Sequence, residues 1–174
     1  MRHQHGRRHP PTENQPRRSA RNRCPRPRYP RPPPPRNPPP PGAQPVSGGL
    51  LEAAWKARQH ACCAYSGFAV GAALEATDGR VFTGCNIENA TYGLTVCAER
   101  VAIWKALSEG VRAFRRIAVV THAATVTPPC GPCRQILWEF CGDIPVIAEN
   151  AQGDRKIWHM HQLLPEAFDR ANLK

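Results

Sequence analysis

No apolar run in this 174-residue chain approaches the ~20 residues that a membrane-crossing helix needs, so the protein is expected to be soluble. The N-terminus also lacks the apolar segment, roughly 7–15 residues long, of a secretory signal, so a cytoplasmic location is expected. Acidic side chains are nearly missing from residues 1–48. That stretch holds one of the 13 in the chain, but 11 of the 24 basic residues and 15 of the 20 prolines. Residues 49–174 carry 13 basic and 12 acidic side chains, so the net charge of +11 belongs almost wholly to the first 48 positions. This excludes a basic nucleic-acid-binding fold, because the larger part of the chain is near neutral and has no basic stripe. Eight cysteines without an export signal point to thiols or a metal rather than to disulfides.

Composition divides the chain in two. In residues 1–48, prolines interleave with arginines, as in Arg26-Pro27-Arg28 and Pro30-Arg31-Pro32, which opposes helix and sheet alike. A disordered extension with local polyproline II is expected. Pro32 to Pro35 and Pro38 to Pro41 also exclude the amphipathic helix of an organelle-import leader. Such a tail could touch RNA or another acidic surface through salt-sensitive contacts, or dock on a proline-recognising module. A solvated extension is the simpler reading. Residues 49–174 have the size of one domain.

Within that domain, Leu50, Leu51, Ala54, Trp55 and Arg58 fall at helical spacing and predict a helix running to about Cys62. Phe68 to Leu74 and Arg80 to Cys85 read as strands joined into a hairpin by Thr77-Asp78-Gly79. A helix is expected from Cys97 to Glu109, with Ala98, Val101, Ala102, Trp104 and Ala106 giving buried contacts and Gly110 as its stop. The β-branched run Ile117 to Thr121 predicts a buried strand. A helix then runs from near Cys130 to Gly142. Ile144 to Ala148 reads as a strand, Lys156 to Met160 as an edge strand and Leu163 to Ala171 as a short terminal helix. Strands separated by helices imply a layered α/β domain.

Two blocks carry chemistry: Thr95-Val96-Cys97-Ala98-Glu99-Arg100 and Pro128-Pro129-Cys130-Gly131-Pro132-Cys133-Arg134-Gln135. Each opens a predicted helix, whose positive end favours thiolate, the form that binds metal. Cys130 and Cys133 lie one turn apart, so their sulfurs point the same way, and Cys97 adds a third corner of a tetrahedron around zinc. Three protein ligands and an open fourth position is the arrangement of catalytic rather than structural zinc. Glu99, two residues after the first ligand, is placed to move protons beside the metal. The order Cys-x-Glu and then Pro-Cys-x-x-Cys is the three-cysteine form of the zinc-deaminase signature.

Two further segments, Tyr65-Ser66-Gly67-Phe68-Ala69-Val70-Gly71-Ala72-Ala73-Leu74 and Gly84-Cys85-Asn86-Ile87-Glu88-Asn89-Ala90-Thr91-Tyr92-Gly93-Leu94-Thr95, extend the pattern. With the two metal blocks they resemble the small, homotetrameric, three-cysteine cytidine deaminases, over essentially residues 50–170. The resemblance implies a three-layer α/β/α fold with a mixed central sheet and helices on both faces. It also implies zinc-dependent hydrolytic deamination of cytidine and 2'-deoxycytidine in pyrimidine salvage, with one zinc per subunit. Carried onto this chain, Cys97, Cys130 and Cys133 would bind zinc and Glu99 would be the catalytic acid and base. Arg100 would hydrogen-bond the ligand sulfurs and draw electron density from them; the alternative is a surface salt bridge. Asn86 and Glu88, alternating at a strand end, would hold ribose hydroxyls. Phe68 would pack on the base and the Ala98 backbone would meet its carbonyl. Phe168 would enter a neighbouring subunit's pocket, so that active sites are shared in the tetramer. Core packing is the alternative for Phe68 and Phe168, and Tyr92 fits either a shared pocket or a structural hydroxyl contact.

The other cysteines read as buried or free thiols: Cys62, Cys63 and Cys141 in helical stretches, Cys85 in a strand, Cys24 in the tail. His60, His122, His159 and His161 are not assigned to the zinc, whose three thiols are already placed. His159 and His161 are expected to alternate on a strand and face solvent together. Pro132, lacking an N–H, is expected to leave the Cys130 sulfur slightly more basic. Three competing functions share parts of this pattern. A deaminase of nucleoside antibiotics would share the zinc motif, but Asn86-Ile87-Glu88-Asn89 favours an ordinary ribose. A polynucleotide-editing deaminase conflicts with the neutral domain, and a silent zinc-binding module conflicts with an intact Glu99.

Overall fold

The structure, a computed structural model, describes residues 48–173. The expectations for the tail up to Ser47, Cys24 included, lie outside these residues. Helix α1 (Gly48–Arg58) is followed by strands β1 (Val70–Ala76) and β2 (Val81–Cys85), helix α2 (Ala98–Ser108) and strand β3 (Phe114–Thr121). Helix α3 (Gly131–Cys141), strands β4 (Pro145–Glu149) and β5 (Arg155–His159) and the short helix α4 (Met160–Leu163) complete the order, with 3-10 turns at Tyr92–Leu94 and Arg170–Leu173. The five strands form one sheet in the order β2-β1-β3-β4-β5. Only β3 and β4 run parallel, with α3 supplying the crossover that a parallel pair needs; the other neighbours are antiparallel.

The layers follow from period-two alternation along the strands. Ala73 of β1, Ala118 and Val120 of β3 and Ile147 of β4 turn to one face, where Leu50, Leu51 and Ala54 of α1 cover them. Ala72, Leu74, Ile117, Val119 and Val146 turn to the other, against Ala102, Ile103 and Ala106 of α2 and Leu137 of α3. This is the expected α/β/α sandwich with a mixed sheet.

Two glycines set how closely the helices approach. A Cβ on Gly71 would lie 2.1 Å from the Ala54 carbonyl oxygen of α1, and one on Gly84 would lie 2.3 Å from the Ala98 carbonyl oxygen of α2. Neither distance is compatible with a side chain, so the hairpin is gripped by backbone on both faces.

Four expectations need correction. α1 ends at Arg58, not near Cys62; Cys62 instead pairs with the strand end, its N–H donating to the Asn86 carbonyl at 2.9 Å and its carbonyl accepting from Glu88 at 2.8 Å. Cys62 and Cys63 are therefore loop residues. Trp104 is 40% exposed and lies under the Arg100 guanidinium, while Ile103 takes the buried position. The terminal helix is only a turn: Pro165 disfavours helical backbone at Leu164 and Glu166 adopts a φ of 53°, so Leu163 ends α4. His159 closes β5 and His161 lies in α4, so they do not alternate on one strand.

Candidate active site

Two backbone arrangements deliver the thiols. After β2 the chain doubles back, with Ile87 and Val96 exchanging both backbone hydrogen bonds at 2.9 Å, which sets Cys97 as the N-terminal cap of α2. After β3, Pro128-Pro129 leads to Cys130 as the cap of α3, with Pro132 in the first turn, where a missing N–H is harmless. Arg134 holds that entry: its Nε donates to the Pro129 carbonyl at 2.7 Å and its Nη1 to the Leu163 carbonyl at 2.9 Å.

The three sulfurs, of Cys97, Cys130 and Cys133, lie within 4.8 Å of one another, and Cys97 and Cys130 are 3.8 Å apart. A zinc–sulfur bond of about 2.3 Å gives a tetrahedron edge of roughly 3.8 Å. The cluster therefore fits zinc. Its protonation says the same. A hydrogen bond from Cys133, helped by Arg100 and Cys130 and opposed by burial, draws the Cys97 thiol down to about 5. The same hydrogen bond, with burial, pushes Cys133 far up, and burial pushes Cys130 up against the pull of the Cys133 amide. One thiolate is what the protein alone sustains. Three need a cation. For Cys130 the cause differs from the one expected at Pro132, since burial leads.

Glu99, in the first turn of α2, is 4% exposed. Burial pushes its carboxyl up to about 7, and the Cys97 thiolate adds to the rise while its own backbone, Cys133 and Arg100 oppose it. A carboxyl poised near neutrality beside a thiol cluster can both take and give a proton. Arg100 Nη2 donates to the Thr95 carbonyl at 2.8 Å and lies 3.7 Å from the Cys97 sulfur, so Arg100 faces the cluster rather than making a surface salt bridge. Its Nε is buried with no acceptor among the described residues.

Asn86 and Glu88 do more than point outward together. Asn86 is 7% exposed; its Oδ1 accepts from the Val70 N–H at 2.8 Å and its Nδ2 donates to the Phe68 carbonyl at 2.9 Å. One donor and one acceptor position remain on that amide. Glu88 accepts from the backbone of Tyr65 at 2.9 Å and Ser66 at 3.1 Å, and from the Ser66 hydroxyl. Ser66 thereby holds the Glu88 carboxyl below the usual carboxylate range. Both residues brace the loop that carries Phe68. The core alternative for the phenylalanines fails: Phe68 is 41% and Phe168 59% exposed. Tyr92 is exposed too, edge-on to Tyr65. Ala98 is fully buried in the first turn of α2. Ser66 and Gln135, whose Nε2 donates to the Phe168 carbonyl at 2.7 Å, escaped the sequence reading because each acts through a partner remote in sequence.

The family model for the "Cytidine and deoxycytidylate deaminase zinc-binding region" matches residues 48–148, a span that includes all three cysteines and Glu99. The chain belongs to this deaminase family. Among curated relatives, the cytidine deaminase of Sporosarcina psychrophila is 48% identical over 125 residues, covering 71% of this chain and 92% of the relative. That of Halalkalibacterium halodurans is 51% identical over 120 residues, 68% of this chain and 91% of the relative. Among solved structures, the cytidine deaminase from Burkholderia pseudomallei superposes with a TM-score of 0.69 at 47% identity, over 71% of this chain and 99% of that one. The chain therefore shares the fold of that solved cytidine deaminase.

Proposed function

We propose that the chain is a zinc-dependent cytidine deaminase that hydrolyses cytidine and 2'-deoxycytidine to uridine and 2'-deoxyuridine with release of ammonia, in pyrimidine salvage. The observation that carries this reading is a buried carboxyl, that of Glu99, beside three sulfurs at zinc spacing. Cys97, Cys130 and Cys133 hold one zinc per subunit, which when bound supplies a Lewis acid that lets water ionise near neutral pH. Glu99 takes a proton from the attacking water as oxygen bonds to C4 of cytosine, and delivers it to N3. It then carries the second proton from the new hydroxyl to the amino group, so that the C4–N bond breaks, ammonia leaves and the C4 carbonyl forms. An ordinary exposed carboxylate would be a poor donor for the second transfer. Arg100 draws electron density from the Cys97 sulfur.

Asn86 and Glu88 bind the ribose hydroxyls, Glu88 staying ionised because Ser66 stabilises its carboxylate. Phe68 stacks on the base and the Ala98 backbone meets its carbonyl. Phe168 enters the pocket of a neighbour in a homotetramer. Exposed Tyr92, Leu94 and Phe168, and an apolar groove of about 490 Å³ lined by Ile87, Leu94, Val96, Val101 and Trp104, support such an assembly. Among the described residues no helix is long and apolar enough to cross a membrane. The cysteines described are all free, as suits a reducing cytoplasm. Residues 1–48 form an extension and 49–174 the catalytic domain.

The test is the ultraviolet loss of cytidine with purified protein, beside Glu99→Gln, with zinc measured on both. Turnover by the parent and a loss of at least about 100-fold in a zinc-retaining variant is expected. A zinc-loaded parent inert on both nucleosides refutes the reading.

A further inference from the structure

We infer that Asp143, His159 and His161 form a second divalent-cation site, separate from the thiol centre. The three residues come from different parts of the fold: Asp143 from the turn between α3 and β4, His159 from the end of β5, His161 from α4. Their donor atoms lie within 4.8 Å of one another. Asp143 Oδ2 is 2.9 Å from His161 Nδ1 and 3.9 Å from His159 Nδ1. Metal–ligand bonds of about 2.0–2.2 Å place neighbouring donors roughly 3.0–3.6 Å apart. The two separations bracket that range, so small side-chain movements suffice to close a shell.

The contacts present favour a cation over a simple hydrogen bond. Both imidazoles present the same nitrogen to one carboxylate oxygen, and their rings are 5.8 Å apart at 31°. A single proton on His161 satisfies one of these contacts and leaves His159 Nδ1 3.9 Å from the carboxylate, with the His159 side chain facing the Gln162 backbone N–H in the capping box of α4. A dication at the point all three address would recruit the His159 nitrogen from that capping contact. The carboxylate is already aimed, since the His161 N–H donates to its other oxygen at 2.9 Å. The His159 N–H is held by Gln162 Oε1 at 2.7 Å, which fixes the backbone of the second ligand. Fixing of the ligands by groups outside the shell is what a preformed metal site requires. The Asp143 side chain is 10% exposed and that of His161 58%, so one side stays open for entry and for water.

Two imidazoles and one carboxylate suit zinc, cobalt or nickel better than magnesium or calcium. Helix α3 separates the two centres: Cys133 is in its first turn and Asp143 lies past its end. At about 1.5 Å per residue that is on the order of 15 Å. The second ion would tie the α3–β4 turn to the β5–α4 corner, whose Leu163 carbonyl anchors Arg134 beside the thiols.

The experiment uses the full chain with zinc already in the thiol centre, titrated with zinc chloride by calorimetry while imidazole resonances are followed by NMR. One further equivalent is expected, shifting the signals of His159 and His161 and not those of His60 and His122. His161→Gln, at an exposed position, is expected to weaken this step by at least about 10-fold, the scale on which even residues outside a ligand shell act. Its deamination rate, measured alongside, is expected to stay that of the parent, so the outcome does not depend on the deaminase reading. His159 and His161 signals that ignore excess zinc, or an identical titration for His161→Gln, would overturn the site and leave an Asp–imidazole hydrogen bond.

Discussion

The side-chain amide of Gln135 donates to the backbone carbonyl of Phe168 at 2.7 Å, so the exposed C-terminal segment hangs from the helix that carries two of the three clustered thiols. Gln135→Ala cuts that tie without touching the sulfurs. A hydrogen bond of this kind contributes about 1 kcal/mol, which corresponds to roughly a fivefold rise in KM. Steady-state kinetics with zinc analysis checks this; an unchanged KM would show that the tie does not position Phe168.

The Ser66 hydroxyl supports the ionised Glu88. With Ser66→Ala the carboxyl rises toward its ordinary value, so it protonates earlier as pH falls. KM for cytidine is expected to increase about tenfold with little change in kcat. The gap from the parent should widen between pH 6 and 4, because only the parent then keeps its carboxylate. A pH-independent gap would argue against this role.

Cys97 is the thiol drawn down to about 5 in the metal-free cluster. After chelation, alkylation of Cys97 should reach its plateau by about pH 6, since a thiol is largely ionised one unit above its pKa. Buried Cys141, whose thiol burial pushes up, should label last. Peptide mass spectrometry after brief alkylation at several pH values decides it, and restored zinc should protect Cys97.

Gly84→Ala places a methyl group 2.3 Å from the Ala98 carbonyl oxygen. Overpacking of this kind costs about 1–3 kcal/mol, or roughly 4–12 °C in Tm for a domain of this size. Because α2 must shift and Cys97 caps it, zinc affinity should fall as well. A melting curve and a competitive chelator titration measure the two effects. Val81→Ala, at an exposed position on the same strand, serves as control.

Cys97, Cys130, Cys133 and Glu99 are legible in the sequence because ligand spacing and helix starts are local properties, and the structure brings all four together. The strands β1, β3 and β4 are legible for the same reason. What escapes is set by tertiary contacts. The segment after Arg58 has helical residues, yet Cys62 gains more by pairing with the strand end at Asn86 and Glu88. Trp104 has the apolarity of a core residue, but its position on α2 turns it outward under Arg100. Pro165 is visible in the sequence and does end the last α-helix, at Leu163 rather than at Ala171. The convergence of Asp143 on His159 and His161 joins the two ends of the β4–β5 hairpin, and no local pattern announces it.

The Cys97 and Cys130 sulfurs meet across 33 positions of chain. A cation that stays on them while the rest of the protein loosens acts as a cross-link, restricting the unfolded ensemble as a disulfide would. For a loop of that length the chain-entropy effect is roughly 4 kcal/mol. Zinc held by these sulfurs would thus also be a topological constraint, and its removal would let the chain wander.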